Sequence, residues 1–301
     1  MLIRIVSILF PLFAITALGY FVGRRMKPDL SHANKLNMDV FVPALVIGAL
    51  ASKSFQITDF LPLAAATLLV VLASGPVAWG VARAIGVDAR TLVPPMMFNN
   101  CGNLGLPLAV LAFGDSALAP AVVMFMVSNL LHFSFGAWLL DHNVRLRDVW
   151  KIPSVWATFV GLGIGLLGIE IWPPLMHAIR MLGDICIPLM LFSLGVRLTD
   201  SRISEIRLGL IGAALRPLMG MALAWLAILV IELPPRQEAL LLVFGALPPA
   251  VLNYIFAERY AQEPEKVASM VLIGNVASLL FLSVALAVAL PEFTNPPGAM
   301  P

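Results

Sequence analysis

Apolar residues run along this chain in blocks about twenty long, cut by short polar or turn-rich breaks. The blocks fall at residues 3–23, 34–52, 60–83, 92–113, 117–140, 153–170, 175–197, 207–231, 237–257 and 265–290. The breaks read GRRMKPD, SKSFQITD, ARAIGVDAR, FGDSA, DHNVRLRD, IEIWPP, RLTDSRISEIR, ELPPRQE and ERYAQEPEK. A helix needs about 20 mostly apolar residues to cross a bilayer. The pattern therefore predicts an all-α polytopic membrane protein with ten transmembrane helices. No break is long enough for a soluble domain. The first block exceeds the roughly 7–15-residue apolar stretch of a signal peptide and reads as a span.

Composition agrees with this. The chain is 60% hydrophobic and 12% charged, against roughly half apolar and a quarter charged in a soluble domain, and its mean hydropathy is +0.95. Net charge is only +2, and no nucleic-acid partner is expected. The placement of the charges says more than their sum. Of 19 Lys and Arg residues, fourteen fall in the odd-numbered loops. Arg4, Lys53, Arg180 and Arg236 lie in the termini or even loops, and Arg216 lies inside a span. The positive-inside rule then puts the odd loops in the cytoplasm and both termini outside, which an even number of spans allows. Cys101 and Cys186 sit in apolar stretches without CxxC or His/Cys ligand spacing, so no metal, cofactor or redox pair is expected.

Three motifs recur in order. Asp39/Pro43 in NMDVFVPALVIGAL matches Asp184/Pro188 in LGDICIPLMLFSLG at an offset of 145 residues, and Asn129 matches Asn275 at 146. GNLGLP in the fourth block and ALPPAVLN in the ninth stand near the same offset. The chain thus reads as two five-span units, 1–140 and 153–290, with a cytoplasmic connection at 141–152 and an extracytoplasmic tail at 291–301. An odd number of spans per unit inverts the second copy. Inverted repeats with interrupted helices in matching positions are the mark of secondary transporters.

The fourth block contains NNCGNLGLPL. Gly102, Gly105 and Pro107 weaken or end a helix there, as Pro248 and Pro249 do in the ninth. Freed backbone groups cost several kcal/mol each in lipid unless buried in protein or lining a wet cavity. Half-helix N-termini suit an anion, and Asn99, Asn100, Asn103, Asn253 and Tyr254 add side-chain donors. The two breaks are expected to cross near the midplane as a substrate site. GLGIGLLG holds a G-x-G-x-x-G at Gly163, Gly165 and Gly168. It lies inside a span, where small residues serve helix packing, not a dinucleotide.

At GNLGLP (Gly102–Pro107) and LPPAVLNYIFA (Leu247–Ala257) the chain resembles the auxin efflux carrier family, which includes plant PIN carriers and bacterial malonate and malate permease-like proteins. The resemblance extends over essentially the whole chain. It implies a scaffold segment and a moving, elevator-like segment, two broken helices crossing at the substrate, and a homodimer. The wider superfamily includes bile acid:sodium symporter-type folds. Plant members often carry a long cytoplasmic loop after the fifth span; here it is DHNVRLRDVWK.

Four ionisable residues fall inside predicted spans, where they usually mark pathways or pairs. Asp39 and Asp184 lie near opposite faces. A buried carboxylate there either carries a proton or anchors a permanent pair. Arg216 either holds a substrate carboxylate or pairs with one of those aspartates. His132 either relays protons or packs as a hydrogen-bonded ring. Coupling to H⁺, coupling to Na⁺ through Asn103, Asn129 or Asn275, and uniport all fit. The reading that emerges is a secondary transporter, by alternating access, of a small organic anion such as malonate, malate or an auxin-like weak acid, in a bacterial inner membrane. A receptor or structural membrane protein and an intramembrane enzyme are the alternatives. No HExxH or GxSxG is present, and aspartates at opposite depths do not make a protease dyad.

Overall fold

The computed structural model describes residues 1–51, 57–144, 146–200 and 204–294. Lys53, Arg145, Arg202 and residues 295–301 of the tail lie outside them. In chain order the helices are α1 (Leu2–Met26), α2 (Ser31–Leu36), α3 (Val42–Leu50), α4 (Leu61–Ile85), α5 (Ala89–Met97), α6 (Leu106–Phe113) and α7 (Leu118–Leu131). They continue with α8 (Ala137–Leu140), α9 (Pro153–Leu166), α10 (Pro173–Asp200), α11 (Ile206–Val230), α12 (Pro235–Gly245), α13 (Val251–Arg259) and α14 (Pro264–Thr294). Wide π turns at Asn37–Phe41, Cys101–Gly105 and His132–Gly136 lead into α3, α6 and α8.

Among the described residues, seven continuous stretches are long and apolar enough to cross a bilayer: Leu2–Met26, Ser31–Leu50, Thr58–Ile85, Asp115–Leu140, Pro173–Thr199, Ile206–Val230 and Pro264–Leu290. The other three predicted blocks differ. Residues 92–113 hold two helical pieces with 98–100 non-helical between them, and 237–257 holds two more around 246–250. Block 153–170 shortens to the 14 residues of α9, about 21 Å of helix.

The helices group by packing. α1 lies along α10, and α3 lies against α9 and α10. α11 lies along α14, while α4, α5, α7, α12 and α13 complete a second group around them. Each group draws on both halves of the sequence. α1 and α10 touch backbone to backbone: a Cβ at Gly195 would fall 1.9 Å from the Thr16 carbonyl oxygen, and one at Gly19 2.1 Å from that of Phe192. No flexible side chain can yield there. Gly195→Ala is accordingly expected to cost about 1–3 kcal/mol, seen as a lower melting temperature in detergent, with Gly163→Ala as the neutral comparison. Of Gly163, Gly165 and Gly168, the glycines expected to pack, Gly163 faces open space and Gly168 lies past the end of α9 at Leu166, at a φ of 62°. The preceding Gly161 makes the close contact, against Leu50 and Ile47 of α3.

Candidate functional site

The two broken segments cross. Asn99 and Pro249 face each other as an antiparallel bridge. The Asn100 N–H donates to the Pro248 carbonyl at 2.8 Å, and the Ala250 N–H to the Phe98 carbonyl at 3.0 Å. These two bonds exchange under a two-fold relation that pairs each residue with the one 150 further on, a few residues more than the offset of the flanking motifs. The same relation pairs Asn103 with Asn253. Prolines at 248 and 249 leave two backbone positions without donors; the bridge uses the Pro248 carbonyl, and the Pro249 carbonyl accepts from the Asn275 amide.

The outer ends of the crossed pieces are also tied. On one side the Thr91 hydroxyl of α5 donates to Glu263 Oε2 at 2.5 Å, and the Gln262 amide to Asp88 and Thr91 at 3.1 Å each. Hydrogen bonds from Lys266 and then Thr91 hold the Glu263 carboxyl below the usual carboxylate range. On the other side the Arg236 guanidinium, at the start of α12, donates to the Phe113 carbonyl that ends α6.

The asparagines divide into two sets. Asn253 is buried, and its amide donates to the Phe98 and Ala250 carbonyls at 2.9 and 3.0 Å. The Asn99 amide donates to the Phe244 carbonyl at the end of α12, at 2.6 Å. The Asn100 amide donates to Asn275 Oδ1 at 2.8 Å, and the Asn275 amide to the Pro249 and Val271 carbonyls at 3.1 and 2.8 Å. Asn99, Asn253 and Asn275 thus hold carbonyls at or beside the breaks, and Asn100 anchors the Asn275 side chain. Asn103 and Asn129 belong to the second set: they line a cavity of about 190 Å³ beside the crossing, as Asn99 and Asn100 also do, but their amides hold no carbonyl among the described residues. Asn103 has no side-chain partner among the described residues. Asn129 Nδ2, His132 Nε2 and Ser193 Oγ are buried there without a hydrogen-bond partner among them.

Several expectations change. The fourth block breaks at 98–100, ahead of Gly102, Gly105 and Pro107. Pro107 lies just after the π turn inside the helical run Cys101–Phe113 and does not end it. Gly102 and Gly105 give room to neighbours: a Cβ at Gly105 would sit 2.9 Å from Leu247 Cδ1, and one at Gly102 3.2 Å from Phe125 Cε2. Tyr254 lines an adjoining cavity and not the crossing cavity, and its hydroxyl donates to Glu258. His132 lines the crossing cavity with its ring stacked on Phe98 at 4.2 Å between centroids.

Asp39 and Asp184 are exposed on the outside of the chain. Asn37 and Met38 occupy the cavity side of the π turn that carries Asp39, while buried Gly183 and Cys186 flank Asp184. Neither carboxylate is buried as expected, and neither pairs with Arg216. Arg216 itself is completely buried in α11. Its Nη1 donates to the Gly245 carbonyl at 3.2 Å, and Nε and Nη2 have no partner among the described residues. Gly220 leaves it space, since a Cβ there would fall 2.2 Å from Nη1.

Five polar contributors were missed by sequence reasoning. Asn34, Asn37, Ser128, Ser193 and Arg197 line the crossing cavity. Ser193 and Arg197 are four apart in α10 and share a face. All three π turns contribute lining residues, and such turns concentrate at functional sites.

The model of a family described as "Membrane transport protein" matches residues 4–149 and 138–286. Among curated proteins, a Rhizobium meliloti (strain 1021) protein named "Putative malonate transporter" is 25% identical over 300 residues, covering 92% of this chain and 93% of that protein. An uncharacterized transporter of Methanocaldococcus jannaschii is 22% identical over 286 residues, covering 88% of this chain and 92% of its own. With seven apolar helices able to span a bilayer and a family match over nearly its whole length, the chain is an integral membrane protein that belongs to the membrane transport protein family, the auxin efflux carrier type to which its broken-helix motifs point.

Proposed function

We propose that this protein moves a small organic anion, a carboxylate or dicarboxylate, by alternating access around the crossed breaks. One observation carries the reading. The cavity beside the crossing is lined by Asn103, Asn129, His132, Ser128 and Ser193 and receives the N-terminal ends of two helical pieces, at Cys101–Asn103 and at Val251–Leu252, with no carboxylate among its described lining residues. Helix N-terminal N–H groups and unpartnered donors in a low-dielectric site favour a negative ligand. The name of the Rhizobium relative makes malonate the first compound to try.

The architecture that goes with this reading has ten spans in two inverted halves, 1–140 and 153–290, with both termini outside. The helices around α1, α3, α9 and α10 then act as scaffold, and the crossing group moves against them. The dimer implied by the family belongs to the same reading, as does a bacterial inner-membrane location. Asn34 and Arg197, at the ends of their spans assigned to the cytoplasm by the charge bias, line the cavity, so the state described opens inward. Asp39 and Asp184 face away from the cavity, which favours coupling through the anion itself, or through an ion held by the asparagines, over a proton on either carboxylate.

Asn103→Ala tests the site. Asn103 has no side-chain partner among the described residues, so its loss is expected to leave the melting temperature within about 1 °C. It should weaken malonate binding roughly tenfold, the value of one hydrogen bond to a charged group. Unchanged binding, by isothermal titration in detergent, would remove the crossing cavity as the site.

A further inference from the structure

We propose that His132 takes up one proton when the substrate anion binds, so that the protein carries the anion and a proton together. The inference rests on the anion-transport reading above and names the coupling ion. The imidazole is buried and lines the crossing cavity, and its Nε2 has no partner among the described residues.

The lining offers no other group that gains a proton near neutral pH. Its ionisable side chains, among the described residues, are Cys101, His132 and Arg197. A guanidinium holds its proton throughout, and a thiol starts protonated and only loses one. An imidazole changes charge near neutrality. The elements packed about the ring were searched for competitors by sequence and contact. Neither α7 nor α8 carries an ionisable residue. On α13, Tyr254 and Glu258 bond to each other in the adjoining cavity, and Arg259 lies over the Tyr260 ring. On α5, Asp88 and Arg90 lie at the exposed end opposite Phe98. The segment Leu146–Lys151 packs on the π turn of His132 and carries Arg147, Asp148 and Lys151. Substitution of the ring separates these three from it.

The setting of the ring suits its charged form once an anion is present. It lies flat on Phe98, at 4.2 Å between centroids and 6° between planes, and a cation over an aromatic face is attracted to it. Asn253 stands beside the ring, and its Oδ1 is buried without a partner among the described residues. A neutral imidazole has one N–H and an imidazolium two. Two N–H groups serve the Asn253 oxygen and the anion at once, where one serves only one of them. The proton comes from the water to which the cavity opens, forms an N–H bond on the imidazole, and leaves with the anion when the site opens to the other face. An anion buried beside a cation is less costly to hold away from water than an anion alone. Phe98 also lends its carbonyl to the Ala250 N–H and the Asn253 amide, so the charged ring rests against the crossing itself.

The test is isothermal titration of the full-length protein in detergent with malonate, at pH 7.5, in Hepes and in Tris. These buffers differ in ionisation enthalpy, and the difference in heat counts the protons taken up. The parent is expected to take up about one proton per malonate bound. Its affinity should fall about tenfold per unit of rising pH, because the bound state holds the extra proton. His132→Gln keeps a hydrogen-bond donor and takes no proton. It should bind malonate with no proton uptake and an affinity independent of pH, and the binding itself shows that the variant is folded. If His132→Gln does not fold, His132→Asn takes its place. Malonate binding by the parent without proton uptake would overturn the inference and leave the anion reading standing. Uptake that persists in the variant would also overturn it, since the proton then sits on malonate or on another side chain. A parent that binds no malonate overturns the underlying anion reading, and this inference with it.

Discussion

Arg216→Met protein is expected to melt no lower than the parent and to transport less than about a tenth as much anion. The side chain is wholly buried, two of its three guanidinium nitrogens lack a partner among the described residues, and its one hydrogen bond is to the Gly245 carbonyl. Burying an ion costs several kcal/mol, and replacing buried charge by an apolar side chain of similar volume is often neutral or stabilising. A fold that keeps so costly a group gains something else from it. Gly245 ends α12 just before the second break, so Arg216 places a fixed positive charge behind the crossing. There it raises the local potential for an anion without touching it. Thermal melts and uptake, measured on the same preparation, separate the two effects. A variant that is destabilised by several degrees and transports normally would show that Arg216 serves packing alone.

Asn253→Ala should do the opposite and damage both properties. Its amide holds the Phe98 and Ala250 carbonyls from the far side of the bridge. Removing it leaves buried acceptors short of a donor, at a cost of about 1–3 kcal/mol, and frees the crossing to shift. A melting temperature several degrees lower, with transport lost, is the expected result. Asn103, related to Asn253 by the local two-fold, should affect binding only. If Asn103→Ala lowered stability as much as Asn253→Ala, the division into staples and ligand groups would fail.

Much of this was legible in the sequence. The apolar blocks anticipated where the helical segments lie, because lipid demands a length and composition that few other constraints mimic. The pairing of a broken fourth block with a broken ninth was legible too, since prolines and glycines at matched positions leave backbone groups that need a partner. The position of the fourth break was not. Pro107 looks like a breaker, but it follows a π turn inside the helical run Cys101–Phe113, and the chain opens earlier, after the Pro94–Pro95 pair. The facing of side chains was harder still. Asn37 and Asp39 are two residues apart, which turns them roughly 200° around a helix: one lines the cavity, and the other points outward. Nothing in the linear motif distinguishes the two. Arg197 was read as a loop cation because it ends an apolar block. Its relation to Ser193, one turn earlier on the same face of α10, was the available signal. The asparagines were recognised as a cluster, but only the geometry separates those that hold carbonyls from those that remain for a ligand.

The central claim is that the crossing cavity is where the substrate anion binds and is carried. Uptake of labelled malonate into proteoliposomes, comparing the parent with Asn103→Ala at equal protein incorporation, tests it most directly. The account predicts saturable uptake by the parent, and uptake by the variant reduced about tenfold at low malonate concentration. Equal uptake by the two proteins would contradict it, and would move the substrate path away from the crossing.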